Sequence, residues 1–180
     1  MVTAEPESRP FYLEELTAAD SESTLAQGRE LLLEYGRFVI AQPGAARFCY
    51  GSLEKEAARL PLSYHGQGGG CLLAWAHGEP ADVPVGFIAW RAVPETVAQE
   101  AWELKRLWVR PSGRGLGLGR SLTMAVLDRA AAAGRKAVYL DTAPASMSAA
   151  HRIYLDLGFV PCAPYNDNPV EGLAYLVKNL

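Results

Sequence analysis

Hydrophobic residues in the first third of the chain change from a strand-like to a helix-like spacing. Residues 11–16 are predicted to form a short strand. Asp20 or Ser21 can cap the helix that follows, because their side-chain oxygens accept hydrogen bonds from free backbone amides. Ser52 can cap a second, shorter helix, which is predicted to end before Pro61. The apolar residues that recur along one side of the first helix are Leu25, Leu32, Tyr35 and Val39.

Short apolar runs separated by turn residues fill the middle of the chain. Strands are predicted over 71–76, 85–92 and 101–109, with turns near Pro80 and Pro94. Strands that follow one another through short turns pair antiparallel. This region is therefore predicted to be an antiparallel meander.

A helical spacing returns over 117–133, where Gly134 stands at the position of a left-handed C-terminal cap. A strand over 137–141, a helix over 146–157 that stops at Gly158, and a closing strand over 173–177 are predicted to follow. Because a strand, helix and strand in one sheet form a right-handed crossover, the strands 101–109 and 137–141 should be parallel. The pattern predicts one mixed α+β domain, with a mostly antiparallel twisted sheet flanked by helices.

Composition narrows the class of protein. The chain has 180 residues, 49% of them hydrophobic, and a formal net charge of −3, which suits one domain over 10–180 after a polar, disordered segment 1–9. No apolar run approaches the ~18 residues of a membrane span, and the N-terminus does not resemble a signal peptide, so we expect a cytoplasmic protein. The mild acidity argues against nucleic-acid binding. The scattered cysteines and histidines argue against a metal site.

A glycine-rich segment between a predicted strand and a predicted helix is the candidate binding motif. Gly115, Gly117 and Gly119 alternate with other residues, so the backbone can approach a ligand closely at a helix N-terminus. The surrounding residues 104–127 contain no Asp or Glu. Helix dipole, amides and guanidinium groups together favour phosphate binding over the alternative of a plain tight turn. The cations of this segment are Lys105, Arg106, Arg110, Arg114 and Arg120.

Two common phosphate motifs do not match this segment. A dinucleotide-binding G-x-G-x-x-G motif that started at Gly115 or Gly117 would need a glycine where Arg120 or Leu122 stands. A P-loop requires a Gly-Lys pair, which the sequence lacks. Hydride transfer and nucleotide hydrolysis therefore lose their main support.

The segment does resemble the R-x-x-G-x-G signature of the GNAT acyltransferases, with Arg114, Gly117 and Gly119 at the defined positions. Residues 103–111 are similar to the fourth strand of that family. Residues 150–159 are similar to its A-x-x-[L/I]-Y-x-x-x-G-F segment. The three pieces occur in the family's order, and their fold agrees with the mixed sheet predicted above.

The resemblance implies an acetyl-CoA-dependent N-acetyltransferase. In this family the pantetheine arm of acetyl-CoA lies in a wedge between the fourth and fifth strands and pairs with backbone groups, and the glycine loop holds the pyrophosphate. The acceptor would be the amine of a small molecule or a peptide, and a homodimer stays open. The cofactor residues implied are Leu107, Trp108, Val109, Arg114, Gly115, Leu116, Gly117, Leu118, Gly119 and Arg120.

The same resemblance implies two catalytic residues. Glu103 on the fourth strand corresponds to a proposed general base, which would remove a proton from the attacking amine. An ordinary strand glutamate paired with Lys105 or Arg106 is the alternative. Strict alternation would put Glu103 and Lys105 on one face with Leu107 and Val109, a conflict that a β-bulge would resolve. Tyr154 corresponds to the general acid that protonates the departing thiolate, with an ordinary core tyrosine as the alternative.

One position departs from the family pattern. Met147 stands where many relatives have a cofactor-binding Asn, and either Ser146 or Ser148 is a candidate replacement. This departure keeps a second hypothesis open, a non-catalytic domain that binds or senses acyl-CoA. Weaker candidates for acceptor binding are Tyr35, Tyr64, Tyr165 and Asn168.

Overall fold

The computed structural model describes residues 10–42, 50–78, 81–168 and 170–180, so the predicted disorder of residues 1–9 lies outside the described residues. Seven strands are found in the described part of the chain. They are β1 (Phe11–Glu15), β2 (Gly70–Ala76), β3 (Val83–Ala92), β4 (Ala101–Val109), β5 (Ala137–Thr142), β6 (Val160–Pro161) and β7 (Ala174–Asn179). The helices are α1 (Glu22–Ile40), α2 (Tyr50–Ala58), α3 (Leu62–His65), α4 (Leu118–Ala132) and α5 (Ser148–Asp156).

The strands form one mixed sheet in the order β1-β2-β3-β4-β5-β7-β6. Neighbouring strands are antiparallel except β4 and β5, which are parallel and joined through α4, so the predicted crossover is confirmed. The β4–β5 register contains only three pairs, from Ala101–Ala137 to Glu103–Tyr139. Beyond Glu103 the two strands separate, and the sheet opens there.

The sheet divides the core into two layers. One layer packs α4 and α5 against the sheet through residues such as Trp102, Leu104 and Leu122. The other packs α1 and α2 against the opposite face through residues such as Leu32 and Phe87. Each face of the central strands is therefore covered by helices, and the opening between β4 and β5 lies between the two layers.

A β-bulge in β4 resolves the conflict that strict alternation creates. Phe87 pairs with Trp108 and Ala89 with Lys105, so β4 has one extra residue there, and Arg106 has a positive φ of 62°. After the bulge, Leu107 and Val109 join the same core layer as Leu104. The predicted bulge is confirmed, and it leaves Leu104, Leu107 and Val109 on the α4 side.

The helix ends test the predicted caps. Ser21 rather than Asp20 caps α1, and its hydroxyl accepts a hydrogen bond from the Thr24 amide at 3.1 Å. The prediction that Ser52 caps the second helix is wrong, because α2 already begins at Tyr50. The glycine after α4, Gly134, has the expected left-handed conformation, with a φ of 70°.

The short elements α3 and β6 were not predicted from the sequence, because neither is long enough to show a periodic pattern. Among the described residues, no helix combines the length and the hydropathy that crossing a membrane requires.

Candidate active site

A cavity of about 540 Å³ lies where β4 and β5 separate, a volume within the range of small-molecule sites. Its walls are the free edge of β4 after the bulge, the loop that leads into α4, the first turns of α4 and α5, and two aromatic residues of α1, Tyr35 and Phe38. The predicted cofactor residues all line this cavity except Leu116, whose side chain is exposed. The sequence therefore predicted most of the residues that form one wall of the cavity.

The loop before α4 bends sharply because two of its glycines adopt the left-handed conformation. Gly115 has a φ of 81° and Gly117, the N-cap of α4, a φ of 75°. This conformation strains residues that have a Cβ atom. The bend points the start of α4 at the cavity, and Leu118, Gly119 and Arg120 all line it. Amides of a first helical turn have no partner within the helix, so this end can bind an anion.

Two arginines supply positive charge at the same end of the cavity. Arg114 and Arg120 are exposed and line the cavity. The Arg114 guanidinium lies over the Trp108 ring, 5.6 Å from its centroid, and its Nε donates to the Val109 carbonyl at 3.3 Å. No Asp or Glu is found among the described residues that line the cavity. An anionic ligand would therefore meet attractive charges there.

The other three cations of this segment do not face the cavity, which corrects the expectation drawn from the sequence. Lys105 is bound by Glu103 and lies near Asp141, Arg106 is bound by Glu56, and Arg110 by Glu34. The acidic partners other than Glu103 come from α1, α2 and β5, far away along the chain. The segment is rich in cations, but over half of that charge is neutralised on the α1 and α2 side of the sheet.

The N-terminal end of α5 forms the opposite wall. Met147 is its N-cap residue, and the methionine side chain cannot accept a hydrogen bond from the amides of the helix. Ser146, Met147 and Ser148 all line the cavity. Both serines therefore line the cavity, as a replacement for the cofactor-binding Asn of other family members would have to do.

Tyr154, the predicted general acid, lies in α5 beside the cavity and does not form its wall. It is 4% exposed, and its ring packs against Phe159 with 5.7 Å between centroids. Burial, together with the charges of Tyr35 and Asp141, raises the pKa of Tyr154 well above its ordinary value. The buried phenol is therefore a weaker acid than an ordinary tyrosine, whose pKa of about 10 already leaves it protonated at neutral pH.

Glu103, the predicted general base, is the last residue of β4 that pairs with β5, and it is 2% exposed. Its Oε2 accepts hydrogen bonds from Arg91, whose Nε lies at 2.9 Å. Its Oε1 accepts from the Lys105 Nζ at 3.1 Å, the Tyr165 hydroxyl at 3.0 Å and the Asn166 amide at 3.4 Å. Ion pairing with Lys105 agrees with the alternative stated above, whereas Arg106 is not a partner of Glu103.

Asp141, at the end of β5, is a site residue that the sequence analysis missed. Its Oδ2 accepts hydrogen bonds from the Asn166 amide at 2.9 Å and the Asn168 amide at 3.3 Å. The Lys105 Nζ lies 3.8 Å from the same oxygen. Burial alone would raise the pKa of Asp141, but Lys105 and the two amides outweigh it and lower that pKa. Its place near the end of a strand that borders the wedge was the available signal.

The four weaker candidates fall into separate places. Tyr35 lines the cavity. Tyr64 is 2% exposed and donates its hydroxyl hydrogen bond to Glu56, beneath the surface of the α1 and α2 layer. Tyr165 and Asn168 lie in the loop before β7, with their side chains bound to Glu103 and Asp141 respectively. The structure thus brings Tyr35, Tyr165 and Asn168 near the opening and places Tyr64 in the core.

A second charge pair holds the helices to β4 near the same opening. Arg106, at the bulge, donates from Nε and Nη2 to the two oxygens of Glu56, both at 3.1 Å, and lies 5.7 Å from the centroid of the Tyr35 ring. Burial tends to raise the pKa of Glu56, but Arg106 outweighs it, and the pKa is lowered.

Within the described ranges, no group of three or more His, Cys, Asp or Glu side chains could hold a metal ion.

Comparisons with known proteins agree with this geometry. Residues 38–159 match the model of the acetyltransferase (GNAT) family. A 74-residue segment is 36% identical to an uncharacterized N-acetyltransferase of Schizosaccharomyces pombe; it covers 41% of this chain and 45% of that relative, so the match spans less than half of either protein.

Solved structures share the fold at low sequence identity. An acetyltransferase from Streptococcus agalactiae has a TM-score of 0.70 at 20% identity, with 96% of this chain and 100% of that chain covered. A phosphinothricin acetyltransferase of the GNAT superfamily from Sinorhizobium meliloti, solved in complex with acetyl-CoA, has a TM-score of 0.70 at 18% identity, with 95% and 89% covered.

Proposed function

The chain belongs to the acetyltransferase (GNAT) family and is an acyltransferase, and from this premise we propose that it transfers an acetyl group from acetyl-CoA directly to an amine. The observation that carries the proposal is the cavity between β4 and β5. One end offers the amides of the α4 N-terminus and two arginines, and the described lining contains no carboxylate. The diphosphate of coenzyme A has the charge and size that such an end can bind.

The free edge of β4 fits the extended part of the same molecule. Because β4 leaves β5 after Glu103, the backbone groups of Leu107, Trp108 and Val109 on that side face the cavity instead of a neighbouring strand. Unpaired backbone groups of a strand edge can pair with an extended amide-containing chain. We propose that they hold the pantetheine arm, with its thioester end near the bulge.

Bound acetyl-CoA supplies a thioester carbonyl that a neutral amine can attack. We propose that Tyr154 then donates a proton to the sulfur, since a phenol is protonated at neutral pH and can donate a hydrogen bond. Glu103 as general base stays a prediction. Its four hydrogen-bonding partners, Arg91, Lys105, Tyr165 and Asn166, support the alternative, a glutamate that holds the site together.

A thiol-release assay with acetyl-CoA and a panel of primary amines tests the proposed function. Release of free coenzyme A that depends on the amine is expected, and Tyr154→Phe should lower kcat about 100-fold while the Kd for coenzyme A stays unchanged. Stabilisation by coenzyme A without release in the presence of any amine would instead support the non-catalytic acyl-CoA-binding alternative.

Glu103→Gln separates the two interpretations of Glu103 in the same assay. If Glu103 is the base, the variant loses activity about 100-fold, and the acid side of the pH profile changes shape. If it is a positioning residue, the profile keeps its shape while the stability of the fold decreases.

A further inference from the structure

Three carboxylates surround the place where β4 and β5 separate, on the side of the sheet that faces α1 and α2. They are Glu56, Glu103 and Asp141. Each is linked to a cation of β4, Arg106 for the first and Lys105 for the other two. An acceptor amine is a cation in solution at neutral pH, so one of these carboxylates is the natural group to meet it.

Both oxygens of two of the three already accept hydrogen bonds from charged partners. Arg106 binds both oxygens of Glu56, and Tyr64 also donates to Oε1. Arg91 binds Oε2 of Glu103, while Lys105, Tyr165 and Asn166 bind Oε1. A substrate nitrogen at either residue would share its oxygen with these partners or displace one of them.

Asp141 differs from both. Within the described part of the chain, its recorded polar contacts, to Asn166, Asn168 and Lys105, all fall on Oδ2. Its Oδ1 is not among the buried polar atoms without a partner, and the side chain is 14% exposed. Oδ1 is therefore an acceptor that solvent, or a ligand, can reach.

The position of Asp141 matches the proposed reaction site. It follows the last β4–β5 pair by two residues, level with Lys105 at the opening. Its negative charge contributes to the raised pKa values of Tyr154 and Tyr35, after the larger effect of burial, which places it within electrostatic reach of both phenols. Tyr35 lines the cavity, and Tyr154 is the proposed proton donor.

We propose that Oδ1 of Asp141 binds the nitrogen of a cationic primary amine acceptor and holds it at the open end of the β4–β5 wedge. Asn166 and Asn168 fix the carboxylate by binding its other oxygen, so the loop before β7 orients the acceptor through Asp141. The inference rests on the proposed function, since it assumes an acyl donor in the cavity. It adds an amine-binding residue that is separate from the residues proposed to bind the diphosphate.

The test compares two coenzyme A thioethers by calorimetry. S-(2-aminoethyl)-CoA places an ammonium group two carbons from the sulfur, near the position of an attacking amine, and S-propyl-CoA has a methyl group in its place. The wild-type protein should bind the aminoethyl compound about tenfold more tightly, the effect of one charge-assisted hydrogen bond. Asp141→Asn should remove this preference and leave the Kd of S-propyl-CoA unchanged.

A comparison variant makes the result specific. Asp167→Asn removes the same charge from an exposed residue of the neighbouring loop, and it should retain the preference. A preference that survives in Asp141→Asn, or one that Asp167→Asn abolishes, would overturn the assignment. If neither thioether binds the wild-type protein, the proposed function itself fails, and the inference fails with it.

Discussion

The two sides of the β4–β5 opening bind charge in opposite ways. On the α4 side, the amides of a helix N-terminus and two exposed arginines face a cavity without a described carboxylate in its lining. On the α1 and α2 side, Lys105 and Arg106 are already joined to acidic partners. One side is left ready for an anion, and the other is closed by its own ion pairs.

The difference shows what each side can contribute. Free donors can grip a ligand that brings its own negative charge, so they account for affinity toward the diphosphate. Closed ion pairs bind little, because a ligand must first separate them, but they fix the positions of strands, helices and loops. We therefore expect substitutions on the α4 side to change binding of the diphosphate, and substitutions that break the pair of Glu56 and Arg106 on the other side to change stability.

The largest effect should follow from removing both free arginines. Arg114→Ala with Arg120→Ala should raise the Kd for coenzyme A about 100-fold, since two charge-assisted contacts are lost, and should leave the melting temperature unchanged because both side chains are exposed. Calorimetry measures the affinity. The control is Arg59→Ala with Arg152→Ala, which removes the same charge from exposed positions outside the cavity lining. An equal loss of affinity in the control would contradict the contrast between the two sides.

The next largest effect should come from the closed side. Glu56→Gln leaves Arg106 partly buried without its carboxylate, and it should lower the free energy of unfolding by about 2 kcal/mol. Urea unfolding measures this change. Glu54→Gln, at an exposed position of the same helix, should have almost no effect. If both variants unfold alike, the pair of Glu56 and Arg106 does not hold α2 to β4.

Acid should weaken the closed side further. The pKa values of Glu56 and Asp141 are lowered in the folded protein, mainly by Arg106 and Lys105 respectively, despite burial. Their stabilisation is therefore fully present above the ordinary carboxyl pKa of about 4 and is lost as the pH falls through the lower folded values. The free energy of unfolding should decrease below pH ~4, and less steeply in Glu56→Gln. Parallel decreases in the two proteins would show that Glu56 does not take part.

The smallest expected effect concerns the loop that carries the free amides. Gly117→Ala should cost about 1 kcal/mol of stability, because its φ of 75° strains an alanine. Gly51→Ala is the matched control, since a Cβ atom there also meets nothing within 4 Å but the residue lies in helix α2. That control should be neutral or stabilising. An unchanged stability in Gly117→Ala would mean that the bend into α4 does not require glycine.

The difference between the two sides also explains what the sequence could predict. The α4 side is local: the glycines, Arg114 and the helix they precede are adjacent in the chain, so their spacing reveals the loop and most of the cavity wall. Even the bulge at Arg106 could be expected, because Lys105 and Leu107 could not share one face.

The closed side depends on contacts between distant residues. Asp141 meets Asn166 and Asn168 across the sheet, and Glu56 reaches Arg106 over 50 positions. No local pattern records such a pairing, so Arg106 and Lys105 were counted with the phosphate-binding cations. Asp141 was missed for the same reason, since a single carboxylate near the end of a strand is informative only when its partners are known.

Binding of a diphosphate by the glycine loop can be measured directly by two titrations of the protein. One uses coenzyme A, and the other uses pantetheine, which lacks the diphosphate and the nucleotide. Calorimetry should show one coenzyme A site per chain and binding of pantetheine at least about 100-fold weaker, because the donors of Arg114, Arg120 and the α4 N-terminus have no anion to hold. Equal affinities for the two compounds, or no binding of coenzyme A at low ionic strength, would contradict the proposed site.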